Sequence, residues 1–179
     1  ICGAQANYES LEKVDSTKKY RCDCCGDFEI TEDAENSLGC KYKEDVAKIS
    51  SIIKNREINK KSIIRIFFSS EEAKKHNENC ISIDELLLSY PKEMKYRINS
   101  VLLNLASLSQ YTGAYIKFDD YKKASPILYC DSYDSASVTF ILKYLLENKY
   151  IDIKDGCNYR TLPLEVRLTV KAWSIINDL

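Results

Sequence analysis

The residues best suited to chemistry are cysteines at the start of the chain: Cys2 in Ile1-Cys2-Gly3, then Cys22-Asp23-Cys24-Cys25-Gly26. Cys22-x-x-Cys25 followed by glycine is a complete metal-binding turn. It aims two thiolates at one tetrahedral ion, and the glycine lets backbone amides approach sulfur. Two such turns about fifteen to twenty residues apart make a zinc ribbon, and nineteen residues separate Cys2 from Cys22. Cys2, with Gly3 behind it, has the context of the second cysteine of the other turn. Its partner is then expected three residues upstream, before Ile1, and the chain is expected to begin inside a longer protein. If that cysteine is absent, Cys24 or Cys40 is the alternative fourth ligand, or the site is vestigial and empty. No histidine stands beside these turns, so a zinc ion here is expected to be closed off by thiolates and structural rather than catalytic.

The eight cysteines also allow a disulfide set, but no hydrophobic signal segment is visible to send the chain to an oxidising compartment. A redox Cys-x-x-Cys is expected near a thioredoxin-like βαβ unit, and none precedes Cys22. Cys80, Cys130 and Cys157 stand singly and read as small core or surface residues. Thiolates that hold metal must stay reduced, so the expected compartment is the cytoplasm.

The rest of the chain is poor in catalytic combinations. The one histidine, His76, lies in the polar run Lys74-Lys75-His76-Asn77-Glu78-Asn79, and five glycines match no phosphate-binding loop. The carboxylates read as helix faces and caps, so no enzyme is expected within these residues. Lys plus Arg total 26 against 27 Asp plus Glu, a net charge of −1, which excludes whole-molecule attraction to phosphate or anionic lipid. Contact with nucleic acid must be local. Lys54, Arg56, Lys60, Lys61 and Arg65 stand against Glu57 alone, and Asp27, Glu29, Glu32, Asp33 and Glu35 form an acidic counterpart. Lys92 and Lys95, with Arg97, Asn99 and Asn104, lie off the apolar stripe of a long helix and extend the candidate nucleic-acid surface; Lys154, Asn158 and Arg160 surround a later turn. Of thirteen tyrosines, Tyr111, Tyr115, Tyr121, Tyr129 and Tyr133 cluster in the middle of the chain and suit either a core or a surface for a protein partner or a second copy. No apolar run is long enough to span a bilayer.

These residues need elements to hold them. Strands are expected over residues 6–11, 17–22 and 26–31 around a turn at Val14-Asp15-Ser16, then a short helix from Thr31 that Gly39 ends. Val46, Ile49, Ile52 and Ile53 mark an amphipathic helix from Lys41 to Arg56. A buried apolar run from Ile63 to Phe68 precedes a polar insertion from Glu71 to Asn79, and Ser82 caps a helix through Leu88. The strongest periodicity, Met94, Ile98, Val101, Leu102, Leu105 and Leu108, predicts a central helix after Pro91. Beyond Gly113, a two-stranded excursion is expected around Pro126, followed by a helix at Val138–Leu145, strands at 150–153 and up to Leu168, and a closing helix packed down by Trp173. A helix followed by a hairpin is the second half of a winged helix.

Two stretches carry a resemblance: Tyr20-Arg21-Cys22-Asp23-Cys24-Cys25-Gly26-Asp27-Phe28-Glu29-Ile30-Thr31, and Ile141-Leu142-Lys143-Tyr144-Leu145-Leu146-Glu147-Asn148-Lys149-Tyr150-Ile151 with Leu168-Thr169-Val170-Lys171-Ala172-Trp173. Together they resemble a zinc-ribbon-plus-winged-helix region found at the amino terminus of bacterial proteins. There the region is similar to an accessory module that precedes an effector domain, often TIR-like or nucleoside-deoxyribosyltransferase-like, linked to nucleotide signalling or phage defence. Ala172 stands where a glycine is expected, and the first metal turn is incomplete. The expectation is an α+β chain with a zinc ribbon over 1–38 and a winged-helix-like domain over 39–179, with Zn²⁺ on Cys2, Cys22 and Cys25. It would be a non-enzymatic sensor or assembly module binding nucleic acid or a protein partner, with an effector attached outside this chain. The alternative is a DNA-binding transcription regulator.

Overall fold

A computed structural model of the chain describes residues 1–2, 7–10, 16–76 and 79–179. The expected turn at Val14-Asp15 and the centre of the polar run, Asn77-Glu78, lie outside the described residues. The fold is mixed α+β, with two sheets among the described residues.

The first sheet has the order β1-β2-β3-β4-β5. β1 (Asn7–Ser10), β2 (Lys18–Cys22) and β3 (Gly26–Ile30) form an antiparallel meander, with Cys22 opposite Gly26 at the tight end. Gly26 is required there: its φ is +90°, and a Cβ would lie 3.0 Å from the Glu57 side chain. β3 buries Gly26, Phe28 and Ile30 on one face, the alternation of a half-covered strand. α1 (Glu32–Cys40) and α2 (Val46–Ile58) then carry the chain to β4 (Arg65–Phe67), which runs parallel to β3. The short α3 (Ser70–Ala73) leads to β5 (Cys80–Ser82), parallel to β4. The Glu29 amide donates to the Ile64 carbonyl at 2.9 Å, and Thr31 to Ile66 at 3.1 Å. β3, which continues from the cysteine turn, is therefore hydrogen-bonded to β2 on one side and to chain beyond residue 38 on the other.

Several local signals act as expected. Ser82 caps α4 (Ile83–Leu88) in a reciprocal box with Glu85. α5 (Met94–Leu108) buries Ile98, Val101, Leu102 and Leu105. Two expectations need correcting. Gly39 does not end α1 but lies inside it, one residue before its last. The excursion around Pro126 is not two-stranded: β6 (Ile116–Phe118) is followed by α6 (Tyr121–Ile127), with Pro126 in its last turn. Asp120 starts α6 by accepting from the Lys122 and Lys123 amides at 2.6 and 3.4 Å.

The second sheet has the order β6-β8-β7, all antiparallel. α7 (Ser135–Glu147), capped by Asp134, leads into β7 (Ile151–Ile153), and β8 (Leu164–Leu168) into α8 (Val170–Asn177), capped by Thr169. Leu164, Val166 and Leu168 face inward, while Glu165 and Arg167 pair outward with Lys154 and Asp152. One cluster of buried side chains runs from Cys2 and Cys25 through Ile49 and Leu102 to Leu168 and Ala172. No helix among the described residues is long and apolar enough to cross a membrane.

Candidate metal centre

The β2–β3 turn presents Cys22 and Cys25, and the start of the chain lays Cys2 beside them. All three are buried, and their sulfurs lie within 4.8 Å of one another. Cys2 Sγ and Cys22 Sγ are 3.5 Å apart. Thiolates around one tetrahedral ion at 2.3 Å would sit about 3.8 Å from each other, so the cluster has the spacing of a metal site. The eight cysteines are all free thiols. The Cys25 amide donates to Cys22 Sγ at 3.4 Å, the amide-to-sulfur contact that such a turn provides. A metal here would be held by Cys2, Cys22 and Cys25.

The hydrogen bonds around Cys22 favour its thiolate form. Hydrogen bonds from the Cys2 and Cys25 thiols, outweighing burial and helped by the Cys25 and Cys24 amides, hold its pKa far below the ordinary 9.0. Hydrogen bonds with Cys2 and Cys22, followed by burial, push the Cys25 thiol up. Cys24 is also buried but lies outside the three-sulfur group; burial first, then the charge of Cys2 and Cys22, pushes it up to about 12. Cys40 is exposed at the end of α1.

Two residues around this cluster carry no signal in the sequence. Ser50, fully buried on α2, places its hydroxyl 3.2 Å from Cys25 Sγ and donates to the Val46 carbonyl at 2.9 Å. Tyr133, from the loop before α7, hydrogen-bonds Ser50 and donates to the same carbonyl at 3.2 Å. Burial, then the charge of Cys25, raises the Tyr133 pKa. The cysteine turn is thus linked through two hydroxyls to the segment that leads into α7.

The seven basic residues expected to meet nucleic acid divide into two groups. Lys54 is drawn in, its side chain only 14% exposed, bonded to Glu57 and to the Asp23 carbonyl. Arg56 donates to the Ser62 carbonyl at 3.0 Å, and burial lowers its pKa. Arg65 bonds Glu29 at 2.8 Å, so the basic and acidic runs neutralise one another in part. Lys60, Lys61, Lys92 and Lys95 are exposed. Two polar residues of α5 that the sequence placed outward turn in. Arg97 pairs with Asp131 at 2.7 Å across the Tyr90 ring. Asn104 is fully buried, accepting from Asn55 at 2.7 Å and donating to the Ile127 carbonyl at 3.0 Å.

No protein-family model, no curated protein and no solved structure matches this chain.

Proposed function

We propose that the chain is a non-enzymatic binding module stabilised by structural zinc. On this reading it combines a zinc ribbon at the amino terminus with a winged-helix-like unit and acts as the sensor or assembly region of a larger, reducing-compartment bacterial protein. The three buried thiols support the metal and the softness of their sulfur favours zinc. The connectivity α5-β6-α6-α7-β7-β8, with strand order β6-β8-β7, supports the second unit. In that architecture α7 is the helix presented to a partner, and residues 154–163 form the wing.

The observation that carries the choice of partner is Phe140, 56% exposed in the middle of α7. The outward row Ser135, Ala136, Phe140, Lys143 and Glu147 holds one cation and one acid. A groove-reading helix needs cations and amides for phosphates and base edges, whereas an exposed aromatic anchor suits a protein interface. A DNA-binding regulator is the second reading, supported by the exposed Lys60, Lys61, Lys92 and Lys95.

Light scattering and fluorescence anisotropy on the metal-loaded chain separate the two. A partner or self-association that Phe140→Asp abolishes, with no change in melting temperature, supports the protein interface. Duplex-DNA binding that weakens steeply with salt and survives Phe140→Asp supports the regulator.

A further inference from the structure

Three connections meet where β7 begins and β8 ends: the turn from α7 into β7, the turn from β8 into α8, and the loop that follows α5. Between them lies a cavity of about 730 Å³, within the range of roughly 300–1,000 Å³ typical of small-molecule sites. The buried Ile151 and Leu168 form its floor, and Leu146, Val170 and Trp173 stand around them. Trp173 is half-buried; its indole nitrogen is closed off and takes no part. Val170 is 87% exposed at the first position of α8, an apolar residue where helices favour an acid. Gly113 keeps the last side open: its φ is +90°, and nothing lies within 4 Å of where a Cβ would stand.

The rim of this apolar space is cationic. Asp152 is the one acid on it, and Arg167 engages that carboxylate at 3.3 Å. Lys149 and Lys171 also line the cavity and form no ion pair among the described residues. Lys171 is held in place: its ammonium donates to the Asn148 carbonyl at 2.9 Å and lies 4.8 Å from the centre of the Tyr150 ring. It stands in the first turn of α8, which contains no acid, so its charge adds to the positive end of the helix dipole instead of opposing it. An anion at this rim would relieve both lysines. Apolar walls below uncompensated cations complement a ligand with a flat apolar body and an anionic end.

We infer that this cavity binds an aromatic carboxylate. Its ring lies between Trp173, Leu146 and Val170, and its carboxylate takes charge-assisted hydrogen bonds from Lys149 and Lys171. Two free cations match one carboxylate and are too few for a polyphosphate, which sets nucleotides aside. The cavity shares no lining residue with the cysteine cluster and does not include Phe140, so the assignment stands whether or not the proposed binding role does.

Calorimetric titration of the metal-loaded chain with 2-naphthoate, paired with nitrogen–proton correlation spectra, tests this. Trp173 is the single tryptophan of the chain, so its indole signal reports binding at this place. The probe should saturate at one per chain and move that signal. Its neutral amide, 2-naphthamide, should bind about tenfold more weakly or worse, and Lys149→Gln and Lys171→Gln should each weaken naphthoate to the same degree, the effect of one hydrogen bond to a charged group. Val170→Asp places an acid where α8 favours one, so it should keep the melting temperature and abolish binding. Failure to saturate by about 1 mM, a modest affinity for a ring of this size, would overturn the assignment. So would equal binding of the amide, tighter binding of decanoate, or an indole signal that does not move.

Discussion

Cys25 Sγ lies 3.2 Å from Ser50 Oγ, and that contact joins the metal turn to α2. A thiolate has no proton to give, so once Cys25 is ionised by a metal, Ser50 must donate to the sulfur. The Val46 carbonyl that Ser50 now serves is then left to Tyr133, which already donates to it at 3.2 Å. Partners of this kind orient the ligand and typically change metal affinity about 10–100-fold. Ser50→Ala should therefore weaken zinc binding by about tenfold or more while leaving one metal per chain at saturation. Competition titration against a chromophoric chelator measures it; unchanged affinity would mean that the hydroxyl contact does not support the ligand.

The same geometry separates the cysteines. Cys22 accepts from its neighbours and closes the three-sulfur group, whereas Cys24 lies outside it. Cys22→Ser should abolish stoichiometric zinc, and Cys24→Ser should keep it, as elemental analysis would read. Chelation of the metal should then release protection in β1, β2 and the start of β3, because the turn loses its cross-link. The amides of α5, α7 and β8 should stay protected, since they pack around Leu102, Leu142 and Val166 far along the buried cluster. Hydrogen exchange with and without chelator tests it; uniform loss of protection would mean that the β3–β4 hydrogen bonds make the whole chain one cooperative unit.

The cysteine turn and α5 were legible because their information is local. A two-residue gap between thiols and an apolar stripe at helical spacing need no partner to be read. The apolar run Ile127-Leu128-Tyr129 reads as a second strand around Pro126, whereas the Asp120 cap six residues before the proline opens α6 and Pro126 fits in its last turn. The β3–β4 pairing could not be read, since it joins residues more than thirty positions apart with only three residues of β4 to mark it. Ser50 and Tyr133 were hidden for the same reason: each looks ordinary in its own segment, and only packing brings them to Cys25. Arg97 and Asn104 show a further limit, because polarity predicted a solvent face where fixed partners made burial acceptable.

Asn104 offers a direct measure of that burial. Its side chain accepts from Asn55 on α2 and donates to Ile127 on α6, so one amide ties three helices. Asn104→Ala strands both partners in a site that water does not reach, a loss of about 2–3 kcal/mol. Asn104→Asp keeps the acceptor but cannot donate to the Ile127 carbonyl and adds a buried charge, so it should cost more. Denaturant unfolding of both variants checks the order; an aspartate variant as stable as the parent would show that the site admits water.

Glu35 on α1 makes the stability depend on acidity. It takes hydrogen bonds from Lys18 at 2.7 Å and from the Tyr20 hydroxyl. Burial opposes ionisation, but these two donors prevail and hold the carboxyl below its ordinary 4.5. Asp134, the α7 cap, is likewise held below its ordinary 3.8 by Ser132 and the Ser137 amide. A depressed folded pKa contributes stability that is fully present above the ordinary value and is lost as pH falls through the folded one. Stability should thus be flat from neutrality to about pH 5 and decline below it. The Lys18–Glu35 pair is about one-third exposed at each side chain, so solvent screening limits the Glu35 share to on the order of 1 kcal/mol. Glu35→Gln should melt lower than the parent near neutral pH, and the gap should close as both are acidified. A gap that persists unchanged into acid would mean that Glu35 acts through packing and not through its charge.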